Sequence, residues 1–134
     1  MDPQLRLLLE LVWEAIINAG QNPIELRGRK IGVYVGCSGS ETAVALMQRS
    51  IEKMNGRSLN GCTMAMMSNQ LSFAFDFRGP SMTVDTACSS SLVCLELATN
   101  AIRLRQCDAA IVAGQSFLKK LRKLLMLSHT HCPK

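Results

Sequence analysis

Aromatic side chains are scarce here: Phe, Trp and Tyr together make up 4% of the 134 residues. Packing must therefore rest on Leu, Ile, Val, Ala and the eight Met, although the 48% hydrophobic share is ordinary for a globular core. The length fits one domain or part of one. Acid is missing from residues 115–134, which hold Lys119, Lys120, Arg122, Lys123 and Lys134. That end carries the whole net charge of +5, because residues 1–114 hold ten bases and ten acids. A neutral body excludes a broad basic surface, so no nucleic-acid partner is expected, and the basic tail reads as a solvated end able to bind acidic partners only weakly. No C-x-x-C pair occurs among the six cysteines at 37, 62, 88, 94, 107 and 132, most of which sit in apolar contexts typical of reduced, buried thiols. The apolar run Leu5–Ile17 is too short for a bilayer and is broken by Arg6, Glu10 and Glu14, so no membrane association is expected. Met1-Asp2-Pro3 carries acid where a secretory signal would carry positive charge, which predicts a cytoplasmic protein. Internal repeats and low-complexity tracts are also missing.

Residues 3–19 read as a helix, with Pro3 suited to its first turn and Gly20 to the position beyond its end. Arg6, Glu10, Glu14 and Asn18 form one narrow polar stripe, and apolar residues cover the rest, so the helix is built to be covered on more than one side. Ile31–Val35 reads as a β-branched strand. Glu41–Met54 and Thr63–Phe73 have helical composition, Arg78-Gly79-Pro80 marks a turn and Ser81–Thr86 a strand. A helix then runs to about Arg105 with Glu96, Thr99, Asn100 and Arg103 as its polar stripe, and Asp108–Ala113 is a third strand closed by Gly114. Leu118–Leu125 reads as a weak basic helix. Helices between strands imply crossover connections, a mainly parallel sheet and an α/β fold.

The segment Val84-Asp85-Thr86-Ala87-Cys88-Ser89-Ser90-Ser91-Leu92 carries the chemistry, since it takes a strand through a tight turn into a helix with a thiol at the junction. The positive end of the helix favours thiolate over thiol. Unpaired N–H groups of the first turn can hold the oxyanion formed when a thioester carbonyl is attacked. Small neighbours let substrate approach, as in serine nucleophile elbows. Most free cysteines are simply small buried residues, and local pattern leaves both readings of Cys88 open.

Asp85-Thr86-Ala87-Cys88-Ser89-Ser90-Ser91-Leu92 resembles the active-site motif of the β-ketoacyl synthase domains of fatty acid and polyketide synthases. Met1–Glu10, Gly32–Thr42 (GVYVGCSGSET), Gly61–Pro80 (GCTMAMMSNQLSFAFDFRGP) and Gln106–Gly114 (QCDAAIVAG) are similar to the same family in its order, the middle two to its animal fatty acid synthase version. The resemblance covers residues 1–114 and implies a thiolase-like α/β fold with buried helices, present as an incomplete N-terminal half, followed by a divergent basic tail over 115–134. It implies Cys88 as the acyl-accepting nucleophile. It further implies an acyl thioester and malonyl-acyl carrier protein as substrates, an acyl carrier protein domain as partner, a homodimer in the full-length enzyme, and no cofactor or metal. A thiolase or other condensing enzyme of the same fold is disfavoured by the Thr86–Ser91 run and Arg78-Gly79-Pro80-Ser81.

The resemblance also implies histidines in the family's second half that polarise the malonyl thioester. Here the histidines are His129 and His131, outside the family's histidine motifs. Met1 aligns inside the family domain in this resemblance, so the family's first strand is expected to be missing as well. The expectation is a fragment without condensation activity, poorly soluble or needing a partner. The alternative is a truncated product that pairs with an intact synthase subunit. His129-Thr130-His131-Cys132 has metal-ligand residue types but no fourth ligand nearby, and is read as incidental. Gly36-Cys37-Ser38-Gly39 lacks the ending of a phosphate loop and reads as a strand-end loop near the acyl pocket. Met64, Met66 and Met67 read first as core packing.

Overall fold

A computed structural model describes residues 3–38, 63–115 and 123–128. Helix α1 (Pro3–Asn18) leads to strand β1 (Ile31–Cys37), helix α2 (Ala65–Phe75), strand β2 (Ser81–Val84), helix α3 (Ser90–Arg103), strand β3 (Ala109–Gln115) and strand β4 (Lys123–Ser128). The sheet order is β2-β1-β3-β4. β1 runs parallel to both β2 and β3, and β4 runs antiparallel to β3. The expected α/β fold with a mainly parallel sheet is present. Expected segments at 41–54, 118–122 and 129–134 lie outside the described residues.

Alternation along β1 and β3 sends their side chains into two separate cores. Ile31, Val33, Val35 and Cys37, with Ala109, Ile111 and Ala113, meet Leu5, Leu8, Val12 and Ile16 of α1 and Met67, Leu71 and Phe75 of α2. On the opposite face Tyr34, Ala110 and Val112 meet Cys94, Ala98, Ala101 and Ile102 of α3. The result is three layers, with a sheet whose central strand is buried along its whole length, as β-branched parallel strands are. Met67 is a core residue and Met64 packs beside it, in accord with the packing reading of the Met cluster.

Several boundaries differ from the sequence reading, each for a local reason. β2 stops at Val84 because the Asp85 carboxylate accepts the Ala87 N–H at 2.9 Å and turns the chain. α3 ends at Arg103 and Arg105 adopts a left-handed φ of 56°, so the helix stops short of the expected residue. The basic segment read as a helix contributes Lys123, Leu124 and Leu125 to an antiparallel strand instead. Pairing with the open edge of β3 supplies backbone partners that an isolated short helix would lack.

Tyr34, Cys94 and Cys107 lie together in the α3-side core, and burial pushes the ionisation of all three groups upward. A charge on Cys107 would raise Tyr34 further, and Asp108 adds to the rise at Cys107. Raised values mean the folded state holds these protons when the unfolded chain has released them. The contribution of these groups to unfolding stability should therefore be constant below the ordinary thiol value of 9.0 and fall as pH rises beyond it. Denaturant titrations at stepped pH check this, and the loss should be smaller in Cys107→Ala once each curve is referred to its own neutral-pH stability.

Candidate active site

β1 and β2 end side by side, with Gly36 opposite Val84, and on its other edge Gly36 lies opposite Gly114 of β3. The three parallel strands thus present their C-terminal ends at one level. Residues 85–89 leave β2 there and enter α3, which places Cys88 at the sheet edge where open α/β sheets bind ligands.

The turn is held by its own side chains. Asp85 Oδ1 takes the Ala87 N–H, the Ser89 hydroxyl donates to the Thr86 carbonyl at 2.7 Å, and it lies 2.9 Å from Thr86 Oγ1. Ser90 Oγ accepts the Thr86 N–H at 2.8 Å and donates to the Ala87 carbonyl at 2.7 Å. Between these clamps Ala87 adopts φ 55°, a left-handed conformation that costs a non-glycine residue about 1–2 kcal/mol. Among the four described cysteines Cys88 alone is exposed, and Cys37, Cys94 and Cys107 are buried. A strained, over-determined turn that delivers one thiol to solvent is the arrangement expected of a presented nucleophile.

The sheet contributes a seat for this turn. A Cβ added to Gly36 would lie 2.7 Å from the Ser90 carbonyl carbon and from the Ser91 nitrogen, and one added to Gly114 would lie 2.8 Å from Ser91 Cβ. The two glycines are neighbours in register, so together they open a notch that admits the first turn of α3. Small residues on the inner face of α3, including Ser90, Cys94, Ala98 and Ala101, continue the close approach along the helix. Sequence reasoning placed Gly36 in a strand-end loop, whereas it belongs to β1. The available signal was the recurrence of a glycine at the end of both Val35-Gly36 and Ala113-Gly114.

The oxyanion donors differ from the expectation. The N–H groups of Ser89, Ser90, Leu92 and Val93 already donate to Thr86, Ala87, Ser89 and Ser89 carbonyls. No side chain caps the N-terminus of α3, and the Cys88 N–H has no hydrogen-bond partner among the described residues. Among the described residues an unpaired donor therefore belongs to Cys88 itself, ahead of the helix. Among the described residues there is no group of three or more His, Cys, Asp or Glu able to hold a metal, and His129, His131 and Cys132 lie outside them. No described helix is long and apolar enough to cross a membrane.

Comparison with known proteins gives the family and the fold. The family model for the β-ketoacyl synthase N-terminal domain matches residues 1–132. A fatty acid synthase of the goose Anser anser anser is 53% identical over 120 residues, which span 90% of this chain and 34% of that protein. A phenolphthiocerol/phthiocerol polyketide synthase of Mycobacterium tuberculosis is 46% identical over 118 residues, 88% of this chain and 6% of that protein. Among solved structures, the oxazolomycin ketosynthase domain of Streptomyces albus superimposes with a TM-score of 0.70 at 38% identity, covering 96% of this chain and 32% of its own. A ketosynthase from module 6 of the Bacillus subtilis bacillaene synthase gives a TM-score of 0.74 at 34% identity, covering 90% of this chain and 19% of its own. The chain thus spans about a third or less of the relatives it matches.

Gly36→Ala tests the seat. The added methyl meets backbone and not a flexible side-chain end, so α3 or β1 must move. Overpacking of this kind should lower unfolding stability by about 1–3 kcal/mol, read from the midpoint of a denaturant titration. A variant as stable as the parent would show that the helix is not pressed against the strand.

Proposed function

The chain belongs to the β-ketoacyl synthase family, within its N-terminal domain, and on that premise we propose that Cys88 accepts the acyl group during decarboxylative condensation. The Cys88 thiol gives up its proton, the sulfur attacks the carbonyl carbon of an acyl thioester, and an S–C bond forms. The C–S bond of the donor breaks and the donor thiol leaves carrying the proton. A malonyl thioester on acyl carrier protein then loses carbon dioxide, and its carbanion attacks the acyl-cysteine carbonyl. The new C–C bond yields a β-ketoacyl thioester as the C–Sγ bond breaks and Cys88 regains a proton. The proposed steps take no organic cofactor or metal. The observation that carries this reading is the exposed thiol at a strained strand-to-helix elbow, beside an amide unpaired among the described residues.

Fatty acid synthesis is the pathway we assign, supported by the 53% identity to the goose enzyme against 46% to the mycobacterial polyketide synthase. A cytoplasmic setting fits the thiols at Cys37, Cys88, Cys94 and Cys107, which form no disulfide with one another. The groups that activate the malonyl unit fall to parts of the family enzyme beyond the matched segment, so acylation is the half-reaction assigned to these residues. The partners in this reading are an acyl carrier protein domain and a second synthase chain.

A second reading rests on the apolar surface. Trp13 and Ile17 of α1 are 45% and 52% exposed, Phe73 of α2 is 88% exposed, and Leu92 and Leu104, at the two ends of α3, are 68% and 69% exposed. Faces of this kind serve association, so the chain could act without catalysis by pairing with an intact synthase subunit.

Incubation with octanoyl-coenzyme A followed by peptide mass spectrometry separates the two. One octanoyl adduct on the Cys88 peptide, lost in Cys88→Ala, is the expected outcome. No adduct, together with co-sedimentation with an intact animal fatty acid synthase, would favour the second reading.

A further inference from the structure

Ser68 and Ser90 are the buried polar side chains among the described residues. Ser68 ties α2 to β2, bonding the Ala65 carbonyl and Thr83. Ser90 is 4% exposed and spends its hydroxyl entirely on the elbow, accepting the Thr86 N–H and donating to the Ala87 carbonyl. The Ser90 N–H also donates to the Ala87 carbonyl, at 3.1 Å. That carbonyl is one half of the Ala87–Cys88 peptide, whose other half is the Cys88 N–H. A trans peptide is planar, so a carbonyl fixed in direction fixes its N–H in the opposite direction.

We propose that Ser90 is a positioning residue for acyl transfer: its buried hydroxyl holds the Ala87 carbonyl inward and so aims the Cys88 amide outward at the oxyanion of the tetrahedral intermediate. The inference rests on the reading of Cys88 as the acylated nucleophile. Ser90 touches neither the thiol's substrate nor the reacting atoms. It acts through one peptide plane, and the Thr86 N–H bond to the same hydroxyl keeps the left-handed step at Ala87 from relaxing. Without the hydroxyl, the Ala87 carbonyl keeps only the longer Ser90 amide bond, the Thr86 N–H loses its acceptor, and the plane is free to rock.

Two reactions of the same thiol separate aiming from folding. Alkylation by iodoacetamide passes through no oxyanion and needs only an accessible sulfur. Acylation by octanoyl-coenzyme A needs the amide in place. In Ser90→Ala the acylation rate constant should fall about 10–100-fold, less than the roughly 100–1,000-fold lost with a whole oxyanion donor because the amide is misaimed and not removed, while the alkylation rate at Cys88 stays within about twofold of the parent. Ser90→Thr, which keeps the hydroxyl, should restore most of the acylation rate. Unchanged acylation in Ser90→Ala overturns the proposal, as does a parallel fall in alkylation or a failure of Thr to rescue. Alkylation of Cys37, Cys94 or Cys107 in native Ser90→Ala marks a role in the fold at large and also overturns it. A parent chain acylated at Cys88 confines such a failure to Ser90, whereas a parent that takes no acyl group sinks both readings.

Discussion

The closeness of α3 to the sheet is the constraint on which the site depends. Gly36 and Gly114 stand opposite each other at the ends of β1 and β3, and a methyl on either would collide with Ser90 or Ser91. Because the first turn of the helix cannot rise away from this notch, the five residues between β2 and α3 must change direction within a short span. Left-handed Ala87 makes that change, and hydrogen bonds to Asp85 and from Ser89 and Ser90 hold it. The thiol reaches solvent as a result, while the buried cysteines on the same and neighbouring elements do not. Close packing, backbone strain and exposure of one sulfur are thus successive consequences of a single approach distance.

Much of this was legible in the residues. Short β-branched runs alternating with helical segments announce a parallel sheet, and Asp85–Leu92 announces a strand-to-helix junction with a thiol. Other parts were hidden for physical reasons. Gly36 looks like a loop residue because strand glycines are weak by propensity, and its value appears only when α3 is seen resting on it. Lys123–Leu125 closes a run read as a weak basic helix, yet pairing with β3 overrides local preference, which is a tertiary effect invisible in a short sequence window. The Ser89, Ser90 and Leu92 amides, which the sequence offers as oxyanion donors, are taken up by i→i+3 bonds in the turn. Ser90 was noticed as a small neighbour of Cys88, although its burial makes it a strut.

Exposed apolar residues remain on all three described helices or at their ends. Leu92 and Leu104 flank a helix whose inner face is already seated, and Trp13 lies on α1 with its ring tilted 6.3 Å from Phe75, itself stacked on Phe77. Each helix therefore has one face committed to this sheet and apolar residues left on another. The chain covers 34% of the goose fatty acid synthase to which it is similar.

An experimental structure of the chain carrying an acyl group on Cys88 would show whether the close seat of α3 governs the site. Ala87 should still be at positive φ, the first turn of α3 should still rest against Gly36 and Gly114, and the acyl carbonyl oxygen should lie within about 3 Å of the Cys88 nitrogen. A carbonyl turned away from that amide, or a helix lifted off the two glycines, would contradict this assignment.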